Sequence, residues 1–229
     1  MQINAEKASE ADSLPENGNG TFCPGELNIL KRSLIFLIAG WSGFFVMAVE
    51  LLSGRILAPN FGNSIYVWGG IITIFMLALS IGYLIGGRLS IREPSLKKLA
   101  IILMTAAVST TPVVLLSNAI LDGIFTLIQD PRYGSLVSAT ILFFLPTMIS
   151  GIISPYAVRL LVTESNRSGH FAGLLYFVST FGSAAGTILT SFYLVLYFEI
   201  NHIVWTMIGI SSMISIISFF IGRKYVENN

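Results

Sequence analysis

Six long apolar segments recur along this chain and constrain its fold more than any other feature. A helix needs about 20 apolar residues to cross a bilayer core about 30 Å thick. Only 11% of the 229 residues are charged, against about 25% in soluble domains. The pattern therefore predicts an all-α fold, a polytopic membrane bundle of about six transmembrane helices. The predicted spans are Leu34–Leu52, Val67–Gly86, Leu99–Ser117, Leu136–Tyr156, Phe171–Leu196 and Ile203–Ile221.

The basic residues are distributed unevenly between the two sides that six spans define. If both termini are cytoplasmic, 11 of the 13 Lys and Arg residues lie on the inner side, and only Arg55 and Arg132 lie outside. Cytoplasmic loops of membrane proteins are enriched in positive charge. We therefore expect both termini in the cytoplasm and the spans in the lipid bilayer of a cell membrane, most simply a prokaryotic cytoplasmic membrane.

Both ends of the chain are polar. Residues 1–30 lack the charged start, apolar core and cleavage site of a signal peptide. We expect a flexible cytoplasmic tail over residues 1–30, a transmembrane domain over 31–224 and a short tail over 225–229. Cys23 is the only cysteine, so no intrachain disulfide is expected.

Four prolines predict where helices end or bend. Pro59 and the turn residues after it predict that the first helix ends near Ser53 and that an outer loop follows. Pro112 is expected to kink the third helix. Pro146 and Pro155 predict a broken or kinked fourth helix, which neighbouring helices must shield from lipid.

Small residues recur at four-residue spacing in two of the predicted spans. Such rows let two helix backbones approach closely, which is the main attraction available between helices in lipid. They predict packing faces, and the partner helix belongs either to the same chain or to a second copy. The rows are Ser179, Ser183, Thr187 and Ser191, then Gly182, Gly186 and Thr190, and in the second span Ala78, Gly82 and Gly86.

An acid and a base, Glu50 and Arg55, lie at the predicted outer end of the first span. Leu34 to Glu50 covers about 24 Å of the hydrocarbon core, which places Glu50 near its outer boundary. One interpretation is an outward-facing polar site formed with Asn63 and Tyr66. The alternative is that Glu50 faces other helices while Arg55 reaches interfacial water. A direct pair requires the helix to end near Ser53, because residues five apart on a continuous helix point about 140° apart.

Four motifs occur in order along the apolar region, and together they resemble a known family. They are VELLSGRILAPNFGNSIYVWG, GYLIGGRL, ISPYAVRL and GLLYFVSTFGSAAGTILTSFYL. The set resembles the membrane half of spermidine-synthase-like integral membrane proteins over Leu34–Ile221. In that family a helical membrane region precedes a soluble aminopropyltransferase-type domain. The resemblance thus implies a helical membrane fold and a connection with polyamine chemistry.

The sequence departs from that family after the sixth span, where only Gly222–Asn229 remain. We find no Gly-rich loop between a strand and a helix that would hold a nucleoside cofactor. The predicted cytoplasmic loops contribute only Glu93 and Glu164 as acids for binding a polyamine. We therefore expect no aminopropyl transfer by this chain alone, and we predict no catalytic residue and no cofactor.

Two functions of different classes follow from these observations. In the first, the chain anchors or serves a separate soluble aminopropyltransferase-like protein in the cytoplasm, which is the partner that the resemblance implies. In the second, it is a small-molecule transporter, with polyamines as one substrate class, working as a homodimer of six-helix units. A chain that keeps only a structural role, as the remnant of a fused gene, is the third alternative.

The partner hypothesis assigns a docking surface to four arginines of the predicted cytoplasmic side. The simpler interpretation is that these arginines anchor helix ends at the inner headgroups. No nucleic-acid partner is expected. His170 and His202 are isolated from other metal-ligand side chains, so no metal site is predicted. The candidate surface consists of Arg88, Arg92, Arg159 and Arg167.

Overall fold

The computed structural model describes residues 24–91, 94–163 and 168–227, and nearly all of them are helical. Six helical stretches among them are long and apolar enough to cross a membrane: Ile29–Phe61, Ile65–Leu89, Leu96–Leu127, Pro131–Val162, Gly169–Tyr197 and Ile200–Arg223. The prediction of an all-α polytopic bundle with six spans is therefore confirmed. The side of the membrane that each terminus faces stays a prediction, and residues 1–23 of the expected tail lie outside the described part.

In the described part of the chain, nine helical elements build these six spans. They are α1 (Pro24–Phe61), α2 (Ile65–Leu89), α3 (Leu96–Ser109), α4 (Thr111–Leu127), α5 (Pro131–Thr163), α6 (Ser168–Leu189), a π-helix (Thr190–Leu194), α7 (Val195–Tyr197) and α8 (Ile200–Glu227). We call the end of the bundle that holds the start of α1 and the end of α8 the terminal end. The distal end holds the α1–α2, α4–α5 and α7–α8 connections. By the charge pattern, the terminal end is the predicted cytoplasmic side.

The first helix is longer than its sequence predicts. It continues through Pro59 to Phe61, so the expectation that it ends near Ser53 is wrong. A proline removes only one backbone hydrogen bond, and the buried side chains of Leu57 and Phe61 carry the apolar face onward to the last turn. The chain turns only at Gly62, whose φ of 77° lies in the left-handed region that favours glycine.

The prolines of α5 do not interrupt it either. The helix is continuous from Pro131 to Thr163 with Pro146 and Pro155 inside, so the expected break is absent. Pro155 packs against Gly86 of α2, where the missing side chain leaves room for the ring. The expectation that these prolines kink the helix stays a prediction. Pro112, by contrast, lies in the first turn of α4, directly after the helix is interrupted at Thr110.

Two pairs of helices pack closely through glycines. In the α2–α5 pair, a Cβ atom on Gly82 would overlap the carbonyl oxygen of Met148. In the α1–α6 pair, a Cβ atom on Gly182 would overlap the carbonyl oxygen of Gly40. The small-residue rows of the second and fifth spans therefore face helices of the same chain.

Candidate functional site

The two glycine-packed pairs leave a groove between α2 and α6. The largest contact of α2 is with α5, and that of α6 is with α1, whereas α2 and α6 hardly touch each other. Helix α1 contacts both α2 and α6 and forms the floor of this groove. Polar side chains line the groove in both halves of the bundle. They line two cavities, which we call the Tyr83 cavity and the Arg55 cavity.

The Tyr83 cavity lies in the half towards the terminal end. It consists of two adjoining volumes of about 110 and 360 Å³ that share the side chains of Tyr83, Ser154, Ser179 and Ser183. The smaller volume reaches the floor at Gly43 of α1, and the larger one opens between α2, α5 and α6. The larger volume is lined by Tyr83, Ser154, Pro155, Tyr176, Ser179, Thr180 and Ser183.

The Arg55 cavity, of about 210 Å³, lies towards the distal end of the same groove. Gly54 of α1 allows the ring of Trp68 to approach, because a Cβ atom there would lie 2.6 Å from that ring. The indole Nε1 of Trp68 donates a 2.6 Å hydrogen bond to Oδ1 of Asn63, which holds both side chains at the α1–α2 turn. The cavity is lined by Leu51, Gly54, Arg55, Ala58, Asn63, Trp68, Thr190, Ser191 and Val195.

A π-helix forms the α6-side wall of the Arg55 cavity. It spans Thr190–Leu194, and π-helical turns are rare and occur frequently at functional sites. Thr190 is fully buried, and its hydroxyl has no hydrogen-bond partner among the described residues. Thr187, one turn earlier in regular α-helix, instead donates to the carbonyl oxygen of Ser183 at 3.0 Å. The cavity thus contains a buried hydroxyl that no described residue satisfies.

Glu50 lies between the two cavities along α1 but is not among the residues that line either of them. Its position follows Gly43 and Met47 of the Tyr83 cavity and precedes Gly54 of the Arg55 cavity, at spacings that keep all four on one helix face. The side chain is half-buried and forms no ion pair with a basic group of the described residues. Since α1 continues past it, Glu50 lies about 16 Å before the distal end of the helix.

The structure brings together only part of the predicted polar site. Arg55 and Asn63 line one cavity, but Tyr66 lies on the exposed distal surface, where its ring stacks with Arg132 at 4.3 Å from the guanidinium carbon. Glu50 and Arg55 form no direct pair, because the continuous helix points them in different directions. Trp68 also lines the cavity, a role that its position in the sequence did not predict.

The predicted cytoplasmic surface is described only in part. Arg88 in the last turn of α2 and Arg159 near the end of α5 are both exposed at the terminal end. Arg92 and Arg167 lie outside the described residues. Helices α2 and α5 run side by side in the same direction, which places the two described arginines at one end of the pair.

The described residues contain no group of three or more His, Cys, Asp and Glu side chains placed to hold a metal ion. Comparison with protein-family models, curated proteins and solved structures finds no match to this chain. The resemblance to spermidine-synthase-like membrane proteins therefore stays a prediction from the motifs.

Proposed function

We propose that this protein is a membrane permease that moves a small solute carrying amino groups along the groove between α2 and α6. The observation that carries the proposal is the polar Tyr83 cavity of that groove, with the carboxylate of Glu50 further along the same face of α1. Transporters often place their solute sites between helices near the middle of the membrane. The Tyr83 cavity gives such a solute a polar site that lipid-facing helix surfaces do not offer.

The charge of Glu50 favours an amine as the solute. A carboxylate inside a membrane span is costly unless a cation or hydrogen-bond donors compensate it. Glu50 has no such cation among the described residues, so an ammonium group of the solute would supply it. The aromatic rings of Tyr83 and Tyr176 in the neighbouring cavity add cation–π attraction for the same group. Polyamines are the first substrates to test, because the sequence motifs point to their chemistry.

The direct test is uptake of radiolabelled putrescine and spermidine into liposomes that contain the purified protein. Glu50→Gln should lower uptake by about tenfold or more, since a hydrogen bond to a charged group contributes about 1.5–3 kcal/mol. Thr180→Trp should block the larger volume of the Tyr83 cavity. The matched control is Thr73→Trp, at an exposed threonine of α2 that lines neither cavity.

Two outcomes would contradict the proposal. Folded wild-type protein that gives no uptake above empty liposomes refutes transport of these amines. Equal uptake by Thr180→Trp and Thr73→Trp would show that the solute does not pass through the Tyr83 cavity. Circular dichroism in detergent establishes for each variant that the helices are intact.

A second candidate function is the anchoring of a soluble partner, and the exposed arginines favour it. Arg88 and Arg159 lie at the same end of the α2–α5 pair, on the predicted cytoplasmic side. Arg88→Glu combined with Arg159→Glu should abolish co-purification of the partner in mild detergent, as followed by mass spectrometry. Arg132→Glu, at the distal end, should not. Repeated recovery of the wild-type chain alone from cells that express an aminopropyltransferase-like protein counts against anchoring.

A further inference from the structure

The Arg55 cavity has a chemistry of its own, which does not depend on transport through the groove. We propose that it binds an oxyanion, a carboxylate or phosphate group, at the distal end of the bundle. Its polar lining side chains are an arginine, an amide and two hydroxyls, and it contains no acidic side chain. Arginine and amide groups are the donors that carboxylate and phosphate oxygens prefer.

Arg55 is available to a ligand because no carboxylate of the described residues pairs with it, and three acids of the distal end have other partners. At the distal end, Asp122 accepts a hydrogen bond from Asn60 at 3.0 Å. Asp130 accepts one from the backbone N–H of Arg132 at 2.9 Å, and Glu199 lies 3.5 Å from His202. No described carboxylate forms an ion pair with Arg55, so its charge is left for a ligand in the cavity.

Asn63 presents donors to the cavity for a geometric reason. Its Oδ1 atom accepts the hydrogen bond from Trp68, so the other end of the amide, Nδ2, is left to donate. This Nδ2 group has no partner among the described residues. The indole of Trp68 therefore both lines the cavity and orients the amide that would contact an anion.

Thr190 supplies the second, independent observation. Its side chain is fully buried, it lines the cavity, and its hydroxyl lacks a partner among the described residues. A buried hydroxyl without a hydrogen bond is costly, and an oxygen of a bound ligand would relieve that cost by accepting the bond. The π-helix that starts at Thr190 places this hydroxyl in the same wall as Ser191.

The size of the cavity limits the ligand. A volume of 210 Å³ has room for about seven water molecules, which suits one oxyanion with a few carbon atoms. The apolar side chains of Leu51 and Val195 and the ring of Trp68 would contact the carbon portion. The same chemistry is offered by the phosphate of a lipid headgroup and by a free small anion, and the experiment separates the two.

The experiment measures the thermal unfolding midpoint of the detergent-purified protein during titration with inorganic phosphate, acetate or dihexanoyl phosphatidic acid. Dihexanoylglycerol, which lacks the phosphate, is the control ligand. We expect an oxyanion to raise the midpoint of the wild type. A response to phosphatidic acid alone identifies a lipid phosphate, and a response to phosphate or acetate identifies a free anion.

Variants assign the effect to the cavity. Arg55→Gln should weaken binding by about tenfold or more, and Arg55→Lys should restore part of it, because loss of a hydrogen bond to a charged group is the costly change. Thr190→Val keeps the side-chain shape; it should raise the midpoint without ligand and reduce the response to ligand. Arg132→Gln, at the other distal arginine, should respond like the wild type.

Two results would overturn the proposal. One is a folded wild-type protein whose midpoint none of the three anions raises above the effect of dihexanoylglycerol. The other is an equal response of Arg55→Gln and Arg132→Gln, which would place the anion outside the cavity. If Arg55→Gln fails to fold, Thr190→Val decides the question, and an unchanged response of that variant overturns the proposal.

Discussion

Replacing Gly182 with alanine tests the closest contact between α1 and α6. A methyl group at this position would lie 3.0 Å from the Cα atom of Gly40 and would overlap its carbonyl oxygen. Both atoms belong to the backbone, so no side-chain rotation relieves the contact. The two helices have to separate.

The magnitude follows from how α6 is held. The span that contains α6 is the least buried of the six described spans, and the largest contact of α6 is with α1. It can therefore shift outward, and a gap of about 0.5–1 Å removes about a quarter to a half of the dispersion energy of the contacts along the seam. Overpacked sites cost about 1–3 kcal/mol. We expect Gly182→Ala to lower the free energy of unfolding by about 2 kcal/mol, near the middle of that range.

The control is Gly173→Ala in the same helix, where a new methyl group meets no atom within 4 Å. It should leave stability unchanged or raise it by up to about 1 kcal/mol, because alanine is the better helix former. Unfolding in mixed micelles of mild detergent and dodecyl sulfate gives the free energy of unfolding of both variants. Tryptophan fluorescence follows the unfolding, because Trp41 stacks on Phe44, which contacts Gly186 at the same seam. Equal stabilities of the two variants, within about 0.5 kcal/mol, would refute the packing argument.

Three further predictions concern hydrogen bonds and topology. Ser215→Ala removes the 2.6 Å hydrogen bond to the Ala100 carbonyl oxygen. In the same unfolding assay it should lower the free energy of unfolding by only about 0.6 kcal/mol, less than Gly182→Ala does. A larger loss than that of Gly182→Ala would show that polar contacts hold the helices together more strongly than close packing. Tyr156→Phe leaves the backbone N–H of Ser95 without its 3.0 Å acceptor, and should cost about 1–3 kcal/mol; an unchanged stability would show that water replaces the phenol. In a Cys23→Ser background, a membrane-impermeant maleimide applied to intact cells should label Gln129→Cys but not Ile91→Cys. The reverse labelling would invert the predicted topology.

The six spans could be predicted because each is decided locally. In a bilayer, a helix satisfies its own backbone hydrogen bonds, so a run of about 20 apolar residues is enough to predict a span. The rows that contain Gly82 and Gly182 could also be predicted as packing faces, because small residues at four-residue spacing have few other uses. Neither signal indicates which helix lies opposite.

Local rules failed at prolines. Proline is a helix-breaking residue type, yet α1 continues through Pro59 and α5 continues through Pro155. The reason is tertiary: Phe61 is buried at the end of α1, and Gly86 leaves room for the ring of Pro155. The cost of one missing backbone hydrogen bond is smaller than the packing that continuation preserves.

The sequence by itself determined that this chain forms apolar helices with two faces suited to close packing. The tertiary structure alone decided that α6 lies against α1 while α2 lies against α5, and hence that a groove remains between them. That register brings Arg55 and Thr190, 135 positions apart in the chain, to the same cavity. No local sequence pattern specifies that these two residues lie in one cavity. Their proximity depends on how closely the helix backbones approach each other, and the glycines on both sides of each seam set that distance.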